Sequence, residues 1–268
     1  MGEIGEAFER LVEIMRELRG AHGCPWDKEQ THESLRQYLL EEAYEVIEAI
    51  DSGRYEDLKE ELGDLLLQVV FHAQIAEETG RFTILDVIRG INDKLVRRHP
   101  HVFGNVVVRT AAEQSQHWEK LKRKEGKKSA IDGVPRSLNA LLRAHRVQAK
   151  AATVGFDWEK TEQVWEKVRE ELGELEEAHR HGDQEAVQEE LGDVLFALVN
   201  LSRFLHVNPE DALRLTVDKF SRRFRAVEEE LRRRGKNAEE ADLDEMDAIW
   251  ENHKRLEREL KSKAKGQN

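Results

Sequence analysis

Cysteine is almost absent from this sequence, which excludes one common way of stabilising a fold. Cys24 is the only cysteine among 268 residues, so no disulfide bond can form within the chain. A protein without disulfides fits a reducing compartment, in which cysteines are kept as thiols. The cysteine content therefore agrees with a cytoplasmic location, which we predict.

Long apolar runs are absent as well. Residues 65–71 form one of the longest such stretches, and Gln68 interrupts it. A membrane helix needs about 20 apolar residues. Residues 1–18 place apolar and charged side chains at helical spacing and lack the uninterrupted apolar segment of a signal peptide. We expect neither a membrane anchor nor a signal sequence, and hence no membrane partner.

Basic residues are outnumbered by acidic ones. The chain contains 43 lysines and arginines against 55 aspartates and glutamates, and its formal net charge is -12. Binding to nucleic acid depends on clustered Lys and Arg that neutralise phosphates. The composition therefore disfavours nucleic acid as a partner. The excess acidic side chains must be solvated, paired with basic groups, or bound to metal ions.

Proline is rare, and no segment alternates apolar and polar residues in the manner of a β-strand. The 4 prolines stand between runs in which apolar residues recur at helical spacing, so none of them interrupts a helix. These features predict an all-α fold. The length of 268 residues fits two domains, since a domain commonly contains about 100–200 residues.

The polar residues of the sequence form an internal repeat. The motif E-E-x-x-E begins at residues 41 and 170, and the motif E-E-L-G-D begins at residues 60 and 189. The two copies of each motif are therefore separated by the same number of residues. The motifs K-x-x-R-R and W-x-x-x-K follow in the same order in each half. Such repetition indicates a duplicated structural unit. We predict two tandem helical-bundle modules, residues 1–124 and 135–268, joined by a charged linker at 125–134.

The two acidic motifs of each module are predicted to face each other. Residues three apart on a helix share a face, so Glu42 lies beside Glu45 on one helix and Glu61 beside Asp64 on the next. The turn at residues 51–54 is short enough to make these helices antiparallel neighbours. The second module repeats the arrangement with Glu171, Glu174, Glu190 and Asp193.

Four carboxylates that converge in a groove predict a bound cation. Without one, repulsion and desolvation would protonate some carboxyls or force the helices apart. Oxygen donors without Cys or His ligands favour Mg²⁺ or Mn²⁺ over Zn²⁺. A single E-x-x-E motif is usually solvated helix surface, but repetition at equal spacing favours a site. Gly63 and Gly192 support it, because a mid-helix glycine costs about 0.5–1 kcal/mol relative to alanine and needs a close-packing or site-related reason.

Each module also carries a basic face and a tryptophan. The basic residues stand at helical spacing and suit the anionic oxygens of a triphosphate, although cations near a helix end also stabilise the helix dipole. Each tryptophan either stacks on a base or closes a core. The residues are Lys94, Arg97, Arg98 and Trp118 in the first module, and Lys219, Arg222, Arg223 and Trp250 in the second.

With three further motifs, these residues resemble the full-length bacterial MazG family over nearly the whole chain. The motifs are GCPWD at residues 23–27, KLVRRHPHVF at residues 94–103 and GFDW at residues 155–158. The resemblance implies an all-α pyrophosphohydrolase that converts nucleoside triphosphates to nucleoside monophosphates and pyrophosphate. It also implies dependence on Mg²⁺, for which Mn²⁺ could substitute, and a homodimer.

The resemblance further implies roles for individual residues, and the second module resembles the better documented catalytic domain. Its implied metal ligands are Glu171, Glu174, Glu190 and Asp193. Its implied catalytic residues are Glu170, Glu171, Glu174, Glu190, Lys219, Arg222 and Arg223. Its implied nucleotide contacts are Lys167, Val168, Arg169, Glu170, Glu171, Ala186, Val187, Gln188, Glu189, Asp193, Lys219, Phe220, Ser221, Arg222, Arg223, Trp250 and Lys254. In the first module the metal candidates are Glu42, Glu45, Glu61 and Asp64, and the phosphate or base candidates are Glu41, Lys94, Arg97, Arg98, Trp118 and Lys122.

Two questions stay open at the level of the sequence. The first module keeps the acidic residues, so the sequence does not decide which module carries most of the activity. The alternative to an enzyme is a regulatory module without turnover. Such a module would bind a nucleotide or a protein through the same acidic faces. Metal-dependent release of pyrophosphate discriminates between the two.

Overall fold

The structure is a computed structural model that describes residues 2–106, 110 and 129–265. Helices dominate these residues, and none of them lies in a β-strand, so the predicted all-α fold is confirmed. Contacts between Cα atoms divide the chain into two compact units, Met1–Gln114 and Ser115–Asn268. The predicted limits of the modules and the linker stay a prediction, and Trp118 and Lys122 lie outside the described residues.

The first unit is a set of helices that follow the predicted apolar periodicity. The two short helices both begin with a proline, a residue that the first turn of a helix tolerates. The described helices are α1 (Glu3–Arg19), α2 (Pro25–Glu29), α3 (Arg36–Ser52), α4 (Tyr55–Glu78), α5 (Ile84–Arg98) and α6 (Pro100–Phe103).

The second unit has longer helices, and its last two long helices are joined by a single turn of 3₁₀-helix at Ala238–Glu240. Within residues 2–106 and 129–265, no helix combines the length and the apolar character that crossing a membrane requires. The described helices are α7 (Ala140–Ala152), α8 (Thr161–His181), α9 (Gln184–Phe204), α10 (Pro209–Arg233) and α11 (Leu243–Lys265).

A helical hairpin dominates the packing of each unit, α3 with α4 and α8 with α9. Both hairpins turn at a glycine in the left-handed region, Gly53 at φ 67° and Gly182 at φ 73°. At positive φ a Cβ atom would lie too close to the following carbonyl oxygen, and glycine avoids this contact because it has no Cβ atom. Asp183 then caps α9, since its Oδ1 accepts hydrogen bonds from the backbone N–H groups of Glu185 and Ala186 at 3.1 and 3.2 Å.

Small apolar clusters hold the helices of each unit together. The hairpin of the second unit closes over Val164 and Val168 of α8 and Ala197 and Leu201 of α9. Full burial of one such aliphatic side chain contributes about 1.5–3 kcal/mol. The core of the first unit consists of Met15, Leu35, Val70, Phe71 and Ile75, and that between α10 and α11 of Val227, Leu231 and Ile249.

Candidate active site

The hairpin of the second unit brings three of the predicted metal ligands together. Glu171 and Glu174 lie on one face of α8, and Glu190 lies on α9, so that one carboxylate oxygen of each is within 4.8 Å of the others. Asp193 is outside this group of three but lines the same cavity as Glu171. The spacing of three along a helix and the tight turn after it therefore bring together three of the four predicted acids, and their role as metal ligands stays a prediction.

A lysine of the same helix already neutralises part of this cluster. The Nζ atom of Lys167 lies 2.7 Å from an oxygen of Glu170 and 2.7 Å from an oxygen of Glu171. The side chain of Glu171 is only 8% exposed, and a buried carboxylate requires such a partner. Hydrogen bonds to Glu170 and then to Glu171 raise the pKa of Lys167. Lys167 therefore stays charged and fixes the carboxylate of Glu171.

Repulsion among the acids is nevertheless visible at Glu174. Its pKa is raised above the ordinary value, first by burial, then by its hydrogen bond with Glu171 and by the charges of Glu171 and Glu190. A carboxyl with a raised pKa is one whose charged form is disfavoured, and a cation beside it reverses that preference. The donor set thus fits a hard divalent cation, which favours oxygen ligands.

The first unit holds a matching cluster of Glu42, Glu45 and Glu61, whose carboxylate oxygens also lie within 4.8 Å of one another. Burial and then the charges of Asp64 and Glu45 raise the pKa of Glu42. Burial and then the charges of Glu45 and Asp64 raise the pKa of Glu61. Repulsion in the first unit therefore affects two of the three acids.

The two clusters differ at the position three residues before the first glutamate of the E-E-x-x-E motif. Tyr38 stands three positions before Glu41, where Lys167 stands three positions before Glu170. Tyr38 packs against the core of the first unit and meets Trp26 edge to face at a centroid distance of 5.8 Å. The first cluster therefore has a neutral aromatic residue where the second has an ammonium group.

The predicted basic face of the second unit is engaged by α11. Arg223 donates hydrogen bonds to Glu257 Oε2 from Nε at 2.9 Å and from Nη2 at 2.7 Å, and Arg222 Nε donates to Oε1 at 3.3 Å. Hydrogen bonds from Arg223, and then its charge, lower the pKa of Glu257. Lys219 is exposed on the same helix. Contact of these residues with a phosphate stays a prediction.

The predicted aromatic partner Trp250 packs inside the second unit. Its ring lies 5.2 Å from that of Phe220 and 5.7 Å from the guanidinium carbon of Arg223, measured to ring centroids. It also packs against the cluster of Val227, Leu231 and Ile249. Closing a core therefore accounts for Trp250, and its stacking on a base stays a prediction.

The other predicted contacts are spread over several helices, and their roles stay predictions. Val168 belongs to the core and is 4% exposed, whereas Lys254 pairs with Glu251 at 2.6 Å. The remaining second-unit residues are Arg169 on α8, Ala186, Val187, Gln188 and Glu189 in the first turns of α9, and Ser221 on α10. In the first unit, Glu41 lies on α3, and Lys94, Arg97 and Arg98 end α5.

The mid-helix glycines of the two E-E-L-G-D motifs, Gly63 and Gly192, are not explained by close packing. A Cβ atom placed on Gly63 or on Gly192 would meet no heavy atom within 4 Å among the described residues. The close-packing reason offered from the sequence is therefore wrong for this structure. The site-related reason remains, because each glycine lies directly before the fourth acidic residue, Asp64 or Asp193.

A cavity of about 530 Å³ opens beside the acidic cluster of the second unit. Lys167, Glu171 and Asp193 contribute to its lining, and the sequence predicted all three as site residues. Sequence reasoning missed Asn200 and Arg203, although they follow Asp193 by seven and ten positions on the same helical face. The other lining residues used below are Gln148, Phe156, Asp157, Trp158 and Phe196.

Comparison with known proteins identifies relatives over nearly the whole chain. Residues 30–103 and 159–227 match the MazG nucleotide pyrophosphohydrolase domain. The chain is 52% identical over 257 residues to the nucleoside triphosphate pyrophosphohydrolase/pyrophosphatase MazG of Thermotoga maritima. This match covers 95% of this chain and 98% of the Thermotoga protein. It is 46% identical over 260 residues to the nucleoside triphosphate pyrophosphohydrolase of Escherichia coli K12, with 94% and 99% covered. A crystal structure of a MazG-related protein from Thermotoga maritima is 30% identical, with a TM-score of 0.38, and covers 43% of this chain and 98% of that chain.

Proposed function

Because this chain is an enzyme of the MazG nucleotide pyrophosphohydrolase family, we propose that it hydrolyses nucleoside triphosphates to nucleoside monophosphates and pyrophosphate. The observation that carries the proposal is the convergence of Glu171, Glu174 and Glu190 beside a cavity. Two relatives that match nearly the whole chain are named as nucleoside triphosphate pyrophosphohydrolases. The proposed cleavage lies between the α and β phosphates.

We propose Mg²⁺ as the cation of both clusters, with Mn²⁺ as a substitute. In the second unit Glu171, Glu174 and Glu190 would hold it, with Asp193 as a further ligand. When bound, such an ion polarises phosphate oxygens and lowers the pKa of a coordinated water. The raised pKa of Glu174 supports the fit, because a carboxyl with a destabilised negative charge gains most from a nearby cation.

The residues of the chain itself supply positioning and charge. Lys167 holds the buried carboxylate of Glu171 through an ion pair, so the cluster does not have to reorganise when a substrate arrives. Arg222 and Arg223 are proposed to meet the negative charge on the phosphates. Glu257 holds both of them in this structure, so phosphate contact requires them to exchange one anionic partner for another.

A homodimer is proposed from the exposed apolar face of α10. Leu213, Val217, Phe220 and Phe224 recur at the spacing of a helix–helix seam and are 53%, 54%, 55% and 38% exposed. Monomers seldom leave such a continuous apolar stripe to solvent. Light scattering coupled to size-exclusion chromatography tests the homodimer. The wild type should have twice the monomer mass, and Val217→Glu should lower the measured mass.

Purified protein decides between hydrolysis and a regulatory module without turnover. We expect pyrophosphate release from nucleoside triphosphates that depends on added Mg²⁺ and stops with a chelator. Product chromatography should show nucleoside monophosphate and pyrophosphate. Nucleoside diphosphate and orthophosphate as the main early products would refute the proposed cleavage, and no turnover with any of the common nucleotides would favour the regulatory module.

A further inference from the structure

The cavity of the second unit is lined by two chemically different groups of residues. Lys167, Glu171 and Asp193 are charged and belong to the proposed site of hydrolysis, whereas the rest of the lining is apolar, aromatic or amide apart from the paired Asp157 and Arg203. A volume of about 530 Å³ lies in the range of small-molecule sites, about 300–1,000 Å³. A ligand that fills it needs an anionic or metal-bound part next to a planar apolar part.

We propose that this cavity is the nucleobase pocket of the second unit, in which Trp158 stacks on the base and Gln148 accepts a hydrogen bond from it. The inference rests on the proposed function and deepens it, since it assigns the part of the substrate that the acidic cluster does not bind. It also gives a role to residues 155–158, which the sequence offered only as a family motif.

The aromatic lining residues are partly or largely exposed. Trp158 is 43% exposed, Phe196 is 46% exposed and Phe156 is 82% exposed. Unlike the equally exposed Trp165, Trp158 lines the cavity, so its ring offers an apolar surface that a ligand in the cavity can cover. A nucleobase presents a flat π-face to such rings, and stacking of this kind tolerates any base. The exposed rings therefore fit a nucleobase better than an aliphatic group.

Gln148 supplies an acceptor that the protein leaves unused. The residue is 7% exposed, and its Nε2 donates to the backbone carbonyl of Phe196 at 2.8 Å. Since that carbonyl can only accept, the orientation of the amide is fixed. Its Oε1 is buried and has no hydrogen-bond partner among the described residues. Buried acceptors rarely stay unpaired, and an N–H group of a nucleobase would satisfy this one.

An ion pair fixes the segment that carries Trp158 onto α9. Arg203 Nη1 donates to Asp157 Oδ2 at 2.8 Å, Nη2 donates to Oδ1, and Asn200 Oδ1 accepts from Arg203 at 2.8 Å. The side chains of Arg203 and Asp157 are 17% and 26% exposed, so solvent screens the pair only partly. Arg203 is thus a positioning residue that places Trp158 at the cavity before any ligand binds.

Trp250 is the competing candidate for base stacking. It lies outside the lining of the cavity and is packed against Phe220 and Arg223. Trp158 lines the cavity together with Glu171, so a single nucleotide in the cavity would touch Trp158 while its phosphates lie near the acids. The geometry therefore favours Trp158.

The test measures binding without turnover in the full chain, with Glu42→Gln and Glu45→Gln present so that the second unit alone reports. Calorimetry with Mg²⁺ compares the α,β-methylene analogues of ATP, GTP and UTP with inorganic tripolyphosphate, which has no base. We expect Trp158→Ala to weaken nucleotide binding about tenfold, the size of one lost base–aromatic stack. Tripolyphosphate binding should not change, and Trp158→Phe should restore most of the affinity.

Trp165→Ala is the matched control, because Trp165 is 42% exposed on α8 and does not line the cavity. It should leave both affinities unchanged, and circular dichroism confirms that each variant is folded. The pocket is refuted if Trp158→Ala leaves nucleotide affinity intact, if it weakens tripolyphosphate equally, or if Trp250→Ala alone weakens nucleotide binding.

Hydrolysis of the three unmodified triphosphates separates this inference from the proposed function. If nucleotide binding depends on Trp158 but no pyrophosphate is released, the pocket is supported and the proposed hydrolysis fails. If Trp158→Ala releases pyrophosphate with an unchanged KM for each nucleotide, the pocket fails and the hydrolysis is supported.

Discussion

Lys167 forms an ion pair with Glu171 one helical turn further along α8, and the two charged groups lie 2.7 Å apart. This contact places a positive charge at the base of an acidic cluster whose other members repel one another. Because Glu171 is almost fully buried, the lysine compensates for much of its desolvation. The same contact holds the carboxylate in the position from which it would bind a cation.

Replacing Glu171 and Glu174 by Gln should abolish most Mg²⁺-dependent hydrolysis while the fold is kept, because amides preserve shape but lose the charge that binds the ion. The variant is measured with Glu42→Gln and Glu45→Gln present.

The matched control for this experiment is Glu176→Gln with Glu177→Gln, two exposed positions of the same helix. The control should keep full turnover. Normal turnover by the Glu171 and Glu174 double variant would refute the metal assignment.

Replacing Arg222 and Arg223 by Ala should reduce turnover far more than Mg²⁺ affinity. Cations that meet the phosphate oxygens act mainly on the transition state of phosphoryl transfer. If the arginines served only to bind Glu257, their loss would lower stability and leave turnover nearly unchanged. Hydrolysis rate, Mg²⁺ affinity and melting temperature are compared with and without the two arginine substitutions, in a chain that also carries Glu42→Gln and Glu45→Gln so that only the second unit is active.

Glu257→Gln is the informative partner variant. It weakens the ion pair with Arg223 but keeps both arginines, so turnover should be retained if the arginines serve the phosphates. A lowered melting temperature with unchanged turnover in the double arginine variant would assign both arginines a structural role.

Gly192→Ala should raise the free energy of unfolding by about 0.5–1 kcal/mol, the usual gain for a glycine inside a helix. Apart from its chain neighbours and the backbone of its own helix, no heavy atom of the described residues lies within 4 Å of the new Cβ position. Turnover should nevertheless fall, because a site-related reason is the one that remains for this glycine. Urea denaturation and pyrophosphate release measure the two effects.

Gly182→Ala is the control for backbone effects, since φ 73° makes any side chain at that position unfavourable by about 1–2 kcal/mol. It should lower stability. A Gly192→Ala variant that is both more stable and fully active would leave that glycine without a role in the site.

Mg²⁺ should raise the melting temperature more at pH 8 than at pH 5. The pKa values of Glu42, Glu61 and Glu174 are raised in the folded protein, so their ionisation opposes folding. That destabilisation is present above the folded pKa values and is relieved as the pH falls through them. At pH 5 protonation has removed part of it, and the ion has less repulsion to relieve.

The measurement compares melting temperatures with Mg²⁺ and with a chelator at each pH. Groups with lowered pKa values, such as Glu257, lose their stabilising effect as the pH falls, and they cancel in this comparison. Gln variants of the metal candidates should remove most of the difference. A Mg²⁺ effect at pH 5 as large as that at pH 8 would contradict the prediction.

Local periodicity was sufficient to predict the acidic hairpins. The spacing of Glu171 and Glu174 and the short turn at Gly182 involve neighbours along the chain, and they determine which side chains meet. The same reasoning predicted the helices and the fold class.

Contacts between distant segments were beyond the sequence. Asp157 and Arg203 are joined only because the chain after α7 packs on α9, and Arg223 meets Glu257 only because α10 packs on α11. Neither pairing follows from helical spacing, since many acidic residues have the same local pattern. The nucleobase pocket depends on such contacts and therefore became visible only in the structure.

Tyr38 and Lys167 occupy matching places in the two halves, next to acidic clusters built from matching glutamates. An ammonium group beside a carboxylate reduces the local negative potential and so weakens the attraction of a divalent ion, whereas a phenol at neutral pH does not. As the Mg²⁺ concentration rises, the first unit is therefore expected to fill before the second. One polypeptide would then respond at two thresholds of the same ion, a low range in one half and a high range in the other.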